Sequence, residues 1–515
     1  MNMTEFQQNC YKIVTDPNLS PKQKSNLLAL AAENNLPYVD LDSDTKQALD
    51  ERVICDMYEG HAPYKPRYVL PDYAKFLKQG SEYLELEPAK TFDDALNMLT
   101  IAYHHVPSVT GMPVYLGCLD QILLPYVGKL SEEDLYQRLR HFWIMLDRNL
   151  PDAFMHANIG PTDNVICRII LRVDRELKQV APNLTFIYDE KITPESLLSV
   201  AIENICETAK PHIANNEMIK KNFDDKGYGV VSCYNSLPVA GGGSTLSRIN
   251  LKEVALRSKN IDDFLQNTLP HYCQLQLNLI KARSAFLFEK SNFFTHSFLV
   301  KEGIIDADRF APMFGIYAMA EAVNILQEKS NLAGRYGKDE DANDLASTIS
   351  QQLAGFVDSH EIKYAWRGKA MLHAQSGIST DRGATPGLRI PYGHEPDPVT
   401  HIMALFKHHH YYTSGISDIL TIDETIKSNP SALLQICKAA FQFGFREFTA
   451  NISGNDLVRV TGYMVRLSDI AKYKQEGSRI NTTFLGSEAA EDTVNNSYLC
   501  RTPRVISHEQ VMGNR

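Results

Sequence analysis

The chain has 515 residues, 44% hydrophobic and 22% charged, with a net charge of −10 at neutral pH, the profile of an ordinary globular protein with ample material for a core. Its Lys and Arg residues form no run, so neither a nucleic-acid groove nor an anionic membrane surface is expected as a partner. No stretch has the length of an apolar membrane span, and the start "MNMTEFQQNCYKIV" lacks the basic and apolar regions of a secretory signal, so a cytoplasmic protein is expected.

Residues 1–90 read as a helix-rich segment, with "SPKQKSNLLALAAENN" offering Ser20 as a cap and Pro21 in the first turn. Over 91–440, helical stretches alternate with short apolar runs bounded by Gly, Pro and Asn, such as "MPVYLGCLDQILLPYV", "PNLTFIYDE" and "GYGVVSCYNSLPVAGGGSTLSRINL". That alternation predicts an α/β architecture built on a large sheet or barrel. Residues 441–515 form a smaller closing segment.

Nine cysteines, at 10, 55, 118, 167, 206, 233, 273, 437 and 500, are scattered without a C-x-x-C pair. The pattern fits a reducing compartment and matches no zinc finger. Cys233 stands apart, because an apolar strand ending in Val230 and Val231 runs into Ser232, Cys233, Tyr234 and Asn235 and then into Pro238 and three glycines. This places the thiol near the tip of a tight loop at about 226–250, where a rigid scaffold often carries reactive groups. Gly241 to Gly243 lack the Lys and the spacing of a phosphate cradle.

In "GISTDRGATPGLRIPYG" (377–393) the Gly and Pro density reads as a solvated loop, with Arg382 or Arg389 able to meet an anionic substrate. His394 and His401 lie seven apart, and "FKHHHYY" adds three more histidines, but no spacing matches a zinc signature, and no metal is assigned. The last informative stretch is "DLVRVTGYMVRLSDI" (456–470). Its valines favour a strand, whereas Gly462 in the middle adds no packing and marks a bend, a bulge or a close approach to the main chain.

The run Arg459, Val460, Thr461, Gly462, Tyr463, x, Val465, with a loop cysteine upstream, resembles the glycyl radical enzymes. "GCLDQILLPYV" (117–127), "GPTDNVICRIILR" (160–172) and "PNLTF" (182–186) resemble successive barrel segments of that superfamily, and "FGIYAMAEAVNIL" (314–326) is similar to a segment of anaerobic ribonucleotide reductase. In length and wording the chain most resembles the YjjI-type group. The resemblance implies a ten-stranded β/α barrel of two antiparallel five-stranded halves, with helices outside and two radical loops meeting inside, and 441–515 as the radical domain. It implies that Gly462 stores a radical and that Cys233 receives it as a thiyl that abstracts hydrogen from a small polar substrate. An α-carbon radical needs a planar centre open to approach, and only glycine has no Cβ in the way. No cofactor is expected on the chain itself; an external radical-SAM activase would install the radical, and a homodimer is expected.

Departures from better-known branches bear on the chemistry. Ser232 stands where pyruvate formate-lyase has a second tip cysteine. Asn235 stands where diol, glycerol and choline-type enzymes carry a basic Glu. The four zinc cysteines of anaerobic ribonucleotide reductases are missing, leaving Cys437 alone in that region. Two alternatives therefore stand beside the leading reading: a ribonucleotide-reductase-like enzyme in which Cys118 is a second thiol, and a radical-bearing accessory without catalysis. Asn235, Cys118, Arg382 and Arg389 are the candidate substrate contacts.

Overall fold

The computed structural model describes residues 3–476, apart from 18, 20, 58, 110, 112, 151–153, 375–380, 382, 392 and 460–463. Sixteen strands are distributed among five sheets in this part of the chain. In chain order they are β1 (Ile54–Asp56), β2 (Tyr68–Leu70), β3 (Tyr115–Cys118), β4 (His156–Ile159), β5 (Asn183–Tyr188), β6 (His212–Asn215), β7 (Tyr228–Val231), β8 (Asn235–Pro238), β9 (Gly241–Asn250), β10 (Phe310–Tyr317), β11 (Met371–Ala374), β12 (Leu420–Ile422), β13 (Glu447–Phe448), β14 (Ala450–Ile452), β15 (Leu457–Arg459) and β16 (Met464–Arg466).

The first five-stranded sheet has the order β13-β6-β5-β4-β3. Strands β3 to β6 are parallel, and β13 closes the edge antiparallel to β6. Parallel neighbours need crossovers, and those from β4 to β5 and from β5 to β6 are supplied by helices Val165–Leu177 and Glu195–Thr208. Every residue of β5 is buried, as expected for a parallel strand covered on both faces. Asn164 starts the first of these helices, its side chain accepting from the Cys167 N–H at 2.9 Å.

The second five-stranded sheet joins β9, β10 and β11 in parallel, with β1 and β2 both antiparallel to β9. The amino-terminal segment thus contributes strands to this sheet as well as helices. Helix Pro21–Asn34 forms where Pro21 predicts it, and Ser20 lies outside the described residues. The glycine run 241–243 lies within β9, paired with Tyr68, Val69 and Leu70. A Cβ at Gly242, whose φ is +148°, would stand 2.0 Å from the Tyr68 carbonyl oxygen, so closeness of strands accounts for the glycine.

Between the sheets runs the hairpin β7–β8, packed against β3 and β4 of one and β9 of the other. The α/β class predicted from the alternation is observed, although among the described residues the pairing does not run continuously from one five-stranded sheet into the other. No helix among the described residues is long and apolar enough to cross a membrane.

Candidate active site

Val231 pairs with Asn235 across the hairpin, leaving Ser232, Cys233 and Tyr234 as its tip. Ser232 and Tyr234 both take positive φ, at 50° and 63°, a conformation that costs a non-glycine residue about 1–2 kcal/mol. Cys233 is held between these two strained neighbours and is 4% exposed. Strain of this kind persists only where the surroundings over-determine it.

Both sheets supply those surroundings. From the first, Asn158 of β4 brackets Val230, accepting from its N–H and donating to its carbonyl, each at 2.8 Å. From the second, the Tyr68 hydroxyl of β2 donates to Ser232 Oγ at 3.1 Å. The next residue back, Arg67, lies near Cys233 and is ion-paired to Glu59. Behind Tyr234, the segment 414–415 fills the gap between β8 and β11. The Ser414 carbonyl accepts from the Ser236 N–H at 3.2 Å, and a Cβ at Gly415, whose φ is +108°, would stand 2.1 Å from the Tyr234 carbonyl oxygen. No other residue type fits at 415 while the tip keeps its shape.

Tyr234 ties the thiol loop to the motif near the carboxy terminus. Its ring stacks on His212 at 4.3 Å, and its hydroxyl accepts from Arg459 Nη1 at 2.9 Å. Arg459 ends β15, which pairs with β16 in the register Leu457–Arg466, Val458–Val465, Arg459–Met464. Asn451 of β14 brackets Arg459 as Asn158 brackets Val230, with both bonds at 2.8 Å. Residues 456–470 therefore contain two antiparallel strands, and Gly462, read as marking a break in the strand pattern, lies between them in sequence, outside the described residues.

A buried polar chain runs behind the tip. Burial raises the Glu447 carboxyl, but bonds from His212 and from the Ser417 and Ile416 N–H groups outweigh it and hold the group below the ordinary carboxylate range. With Glu447 ionised, His212 Nε2 donates to it at 3.2 Å, and His212 Nδ1 accepts from Thr185 Oγ1 at 3.1 Å. Thr185 in turn accepts from His156 Nε2 at 2.6 Å. On the opposite sheet, His373 of β11 donates from Nδ1 to the Ser414 carbonyl at 3.0 Å, the carbonyl that also anchors Ser236. The ring is fully buried, its burial pushes the imidazole down to about 4, and Nε2 has no described hydrogen-bond partner.

The predicted contact residues fall in different places. Asn235 is buried beside the tip, its Nδ2 donating to the Val231 carbonyl at 3.2 Å and its Oδ1 without a described partner. Arg389, 1% exposed, donates from Nε to the Ser417 carbonyl at 2.7 Å, and its charge acts on Tyr234. Cys118 stands toward the open end of the hairpin, with Asp120 Oδ1 and the Gly160 carbonyl as neighbours, both at 3.4 Å. Burial, then Asp120, pushes its thiol well up. Arg382 lies outside the described residues.

The stretch 377–393, read as a solvated loop, is buried over most of its described length. Asp381 makes a two-pronged ion pair with Arg248 at 2.5 Å, Lys252 donates to the Gly383 carbonyl at 2.8 Å, and the Thr385 N–H donates to Glu321 at 3.0 Å. Three of the histidines in the two motifs are tied into the packing: His401 pairs with Asp418 at 2.8 Å, His408 with Ser350 at 2.9 Å, and His409 accepts from the Arg446 N–H at 3.1 Å. His394 is exposed, and among the described residues no group of His, Cys, Asp and Glu is arranged to hold a metal. Sequence reading missed His373, Glu447 and Tyr68. A single histidine in "MLHA" carries no spacing signal, whereas the Tyr after Cys233 was visible without its partner.

Comparison with known proteins identifies the fold and the family. The profile of the YjjI-like glycyl radical enzymes matches residues 19–501. The protein YjjI of Escherichia coli (strain K12) is 64% identical over 507 residues, covering 98% of each chain. A solved structure concerned with 1,2-propanediol dehydration in Roseburia inulinivorans superposes with a TM-score of 0.68 at 12% identity, covering 96% of this chain and 89% of that one. The anaerobic ribonucleotide reductase of Thermotoga maritima, in complex with dATP and CTP, gives 0.65 at 12% identity, covering 92% and 89%. At such identities the structural similarity bears on the fold alone. The profile and the sequence relative carry the assignment: this chain belongs to the YjjI-like family of glycyl radical enzymes.

Proposed function

We propose that the protein stores an organic radical on Gly462 and passes it to Cys233, whose thiyl takes a hydrogen atom from a small polar substrate. The observation that carries this reading is the bond between Arg459 and Tyr234 at 2.9 Å, which joins the residue three before Gly462 to the residue after Cys233. Three residues of chain span at most about 11 Å, which bounds how far Gly462 can lie from Arg459. Hydrogen transfer needs reacting atoms within about 3–3.5 Å. The two five-stranded sheets are then the halves of a ten-stranded β/α barrel, to which residues 1–90 add β1 and β2 in one half and 441–515, the radical domain, adds β13 in the other. A radical-SAM activase installs the radical and keeps its own iron–sulfur cluster, and the enzyme works as a cytoplasmic homodimer.

Activated protein should give a doublet electron-paramagnetic signal from one α-hydrogen on Gly462. Labelling with α-deuterated glycine should collapse it, and Gly462→Ala should remove it. A signal indifferent to both would disprove the storage site.

Asn235 cannot take a proton, and His373, with Nε2 free of any described partner, is a base that the interior offers in its place. Its tautomer leaves Nε2 a bare acceptor. Once Cys233 has removed the hydrogen atom from a hydroxyl-bearing carbon, the adjacent O–H becomes more acidic. Its proton passes to Nε2, and the resulting imidazolium keeps its Nδ1 bond to Ser414 and gains the field of Glu447. His373→Asn retains a donor for Ser414 and deletes the acceptor. It should form the radical normally while turnover falls by about 10²–10⁴-fold, the usual worth of a general base. Turnover within threefold of wild type would remove His373 from the mechanism. The reductase-like alternative asks Cys118 to be a second thiol, and its contacts with Asp120 and Gly160 give that no support.

A further inference from the structure

The strands that bracket residues 460–463 rest on the carboxy-terminal ends of two neighbouring helices. Helix Val165–Leu177 ends at Lys178 and helix Glu195–Thr208 at Ala209, both in the left-handed conformation. The last carbonyls of each helix have no partner within it. Arg466 occupies the first end: Nε donates to the Lys178 carbonyl at 3.1 Å, and Nη2 donates to the same oxygen and to the Leu177 carbonyl. Arg459 occupies the second, its Nε donating to the Ala209 carbonyl at 2.7 Å. Asn455 adds a bond to the Cys206 carbonyl, in the last turn of that helix, at 3.1 Å.

The platform under these contacts is fixed. Lys210 and Asp174, both fully buried, pair at 2.5 Å, and Lys210 also donates to the Gln179 and Pro182 carbonyls. Asn204 and Trp143 donate to the same Asp174. By contrast, the apolar contact beneath the strands is a small cluster of Val180, Ala209, Leu457 and Met464. Orientation therefore depends on the polar contacts. Each helix end carries about half a negative charge, so two guanidinium groups face two negative poles. Arg459 also holds Asn183 and Tyr234, whereas the described hydrogen bonds of Arg466 all go to one helix end.

We propose that Arg466, which lies outside the R-V-T-G-Y-x-V run, is a positioning residue for the radical segment: it pins the strand leaving Gly462 to the end of helix Val165–Leu177, and so keeps the glycine inside and aligned with Cys233. The proposal rests on the assignment of the radical to Gly462. Without Arg466 the pair of strands is held at Arg459 and Asn455 and pivots about the second helix end. Lys supplies a point charge but not the planar fork that spans two carbonyls, so it restores the function in part.

The test compares activated full-length wild type, Arg466→Ala and Arg466→Lys for three quantities: thermal midpoint before activation, glycyl-radical spins per chain, and the rate of backbone cleavage at 462 on exposure to air. The alanine variant should keep the wild-type midpoint, hold less than half the radical, and be cleaved about fivefold faster or more, with lysine between the two. Equal radical content and equal cleavage rate in wild type and alanine variant would overturn the proposal. A fall in midpoint matched by the lysine variant, without graded radical loss, would mean a merely structural role and overturn it too. Absence of any Gly462 radical in wild type would instead sink the assignment on which the proposal depends.

Discussion

Replacing Cys233 with serine should leave the glycyl radical intact and abolish turnover. The two functions are separable because storage needs only an accessible glycine, whereas hydrogen abstraction from substrate needs a bond of matched strength on the abstracting atom. A thiol S–H and a substrate C–H are close enough in strength for transfer in both directions; a serine O–H is far stronger and cannot be formed and returned at the same cost. The substitution is gentle in every other respect. The thiol is 4% exposed at the hairpin tip, the left-handed neighbours Ser232 and Tyr234 keep their anchors, and the oxygen is smaller than the sulfur it replaces. A check that needs no substrate follows from reversibility. In D2O the sulfur carries deuterium, passage of the radical from Gly462 to Cys233 delivers that deuterium to the glycine, and removal of the remaining protium when the radical returns should collapse the wild-type doublet, whereas the serine variant should keep its doublet. Collapse in the serine variant, or turnover by it, would show that another group relays the radical. An inactive Cys118→Ser beside an active Cys233→Ser would reverse the assignment of the thiols.

Air should cut the activated protein at Gly462. Oxygen adds to the α-carbon radical, and the peroxyl that results decays by breaking the main chain at that residue. The expected products are a large piece ending near Thr461 and a small one beginning near Tyr463. Unactivated protein and activated Gly462→Ala should both stay whole. Mass spectrometry of the small piece reads the position directly, and a cut elsewhere, or none after a confirmed radical signal, would return Gly462 to the status of an ordinary strand-connecting glycine.

The parts of this site that were legible in the sequence are those that chemistry or periodicity forces into a local pattern. Apolar runs between turn residues gave β3, β5 and β9, and Val230–Val231 followed by Ser-Cys-Tyr-Asn marked the hairpin tip. The strands β1 and β2 escaped notice because each has three residues, too few to show alternation. The loop 377–393 misled because Gly and Pro report turn geometry and say nothing about solvent. Its burial comes from Arg248, Lys252 and Glu321, residues far away in sequence. His373 was silent for the same reason: its significance lies in a nitrogen left without a partner, and that is a property of the packed interior. Arg459 was read as a letter of a motif, whereas its four-way contact with Asn451, Ala209, Asn183 and Tyr234 shows why an arginine is suited to that position.

The Cys233 hairpin is fastened to Asn158 in one sheet and to Tyr68 in the other, and it is bonded edge to edge with neither. The sulfur therefore acts as a gauge of the gap between the two sheets. Remote core substitutions that thin or swell either sheet by a methyl group would be transmitted to the thiol as displacement, and about 1 Å of error in a reacting atom is enough to cost about 100-fold in rate. Drift in such an enzyme would first be felt as lost alignment, in proteins that still fold, still accept a radical and still melt at the ordinary temperature.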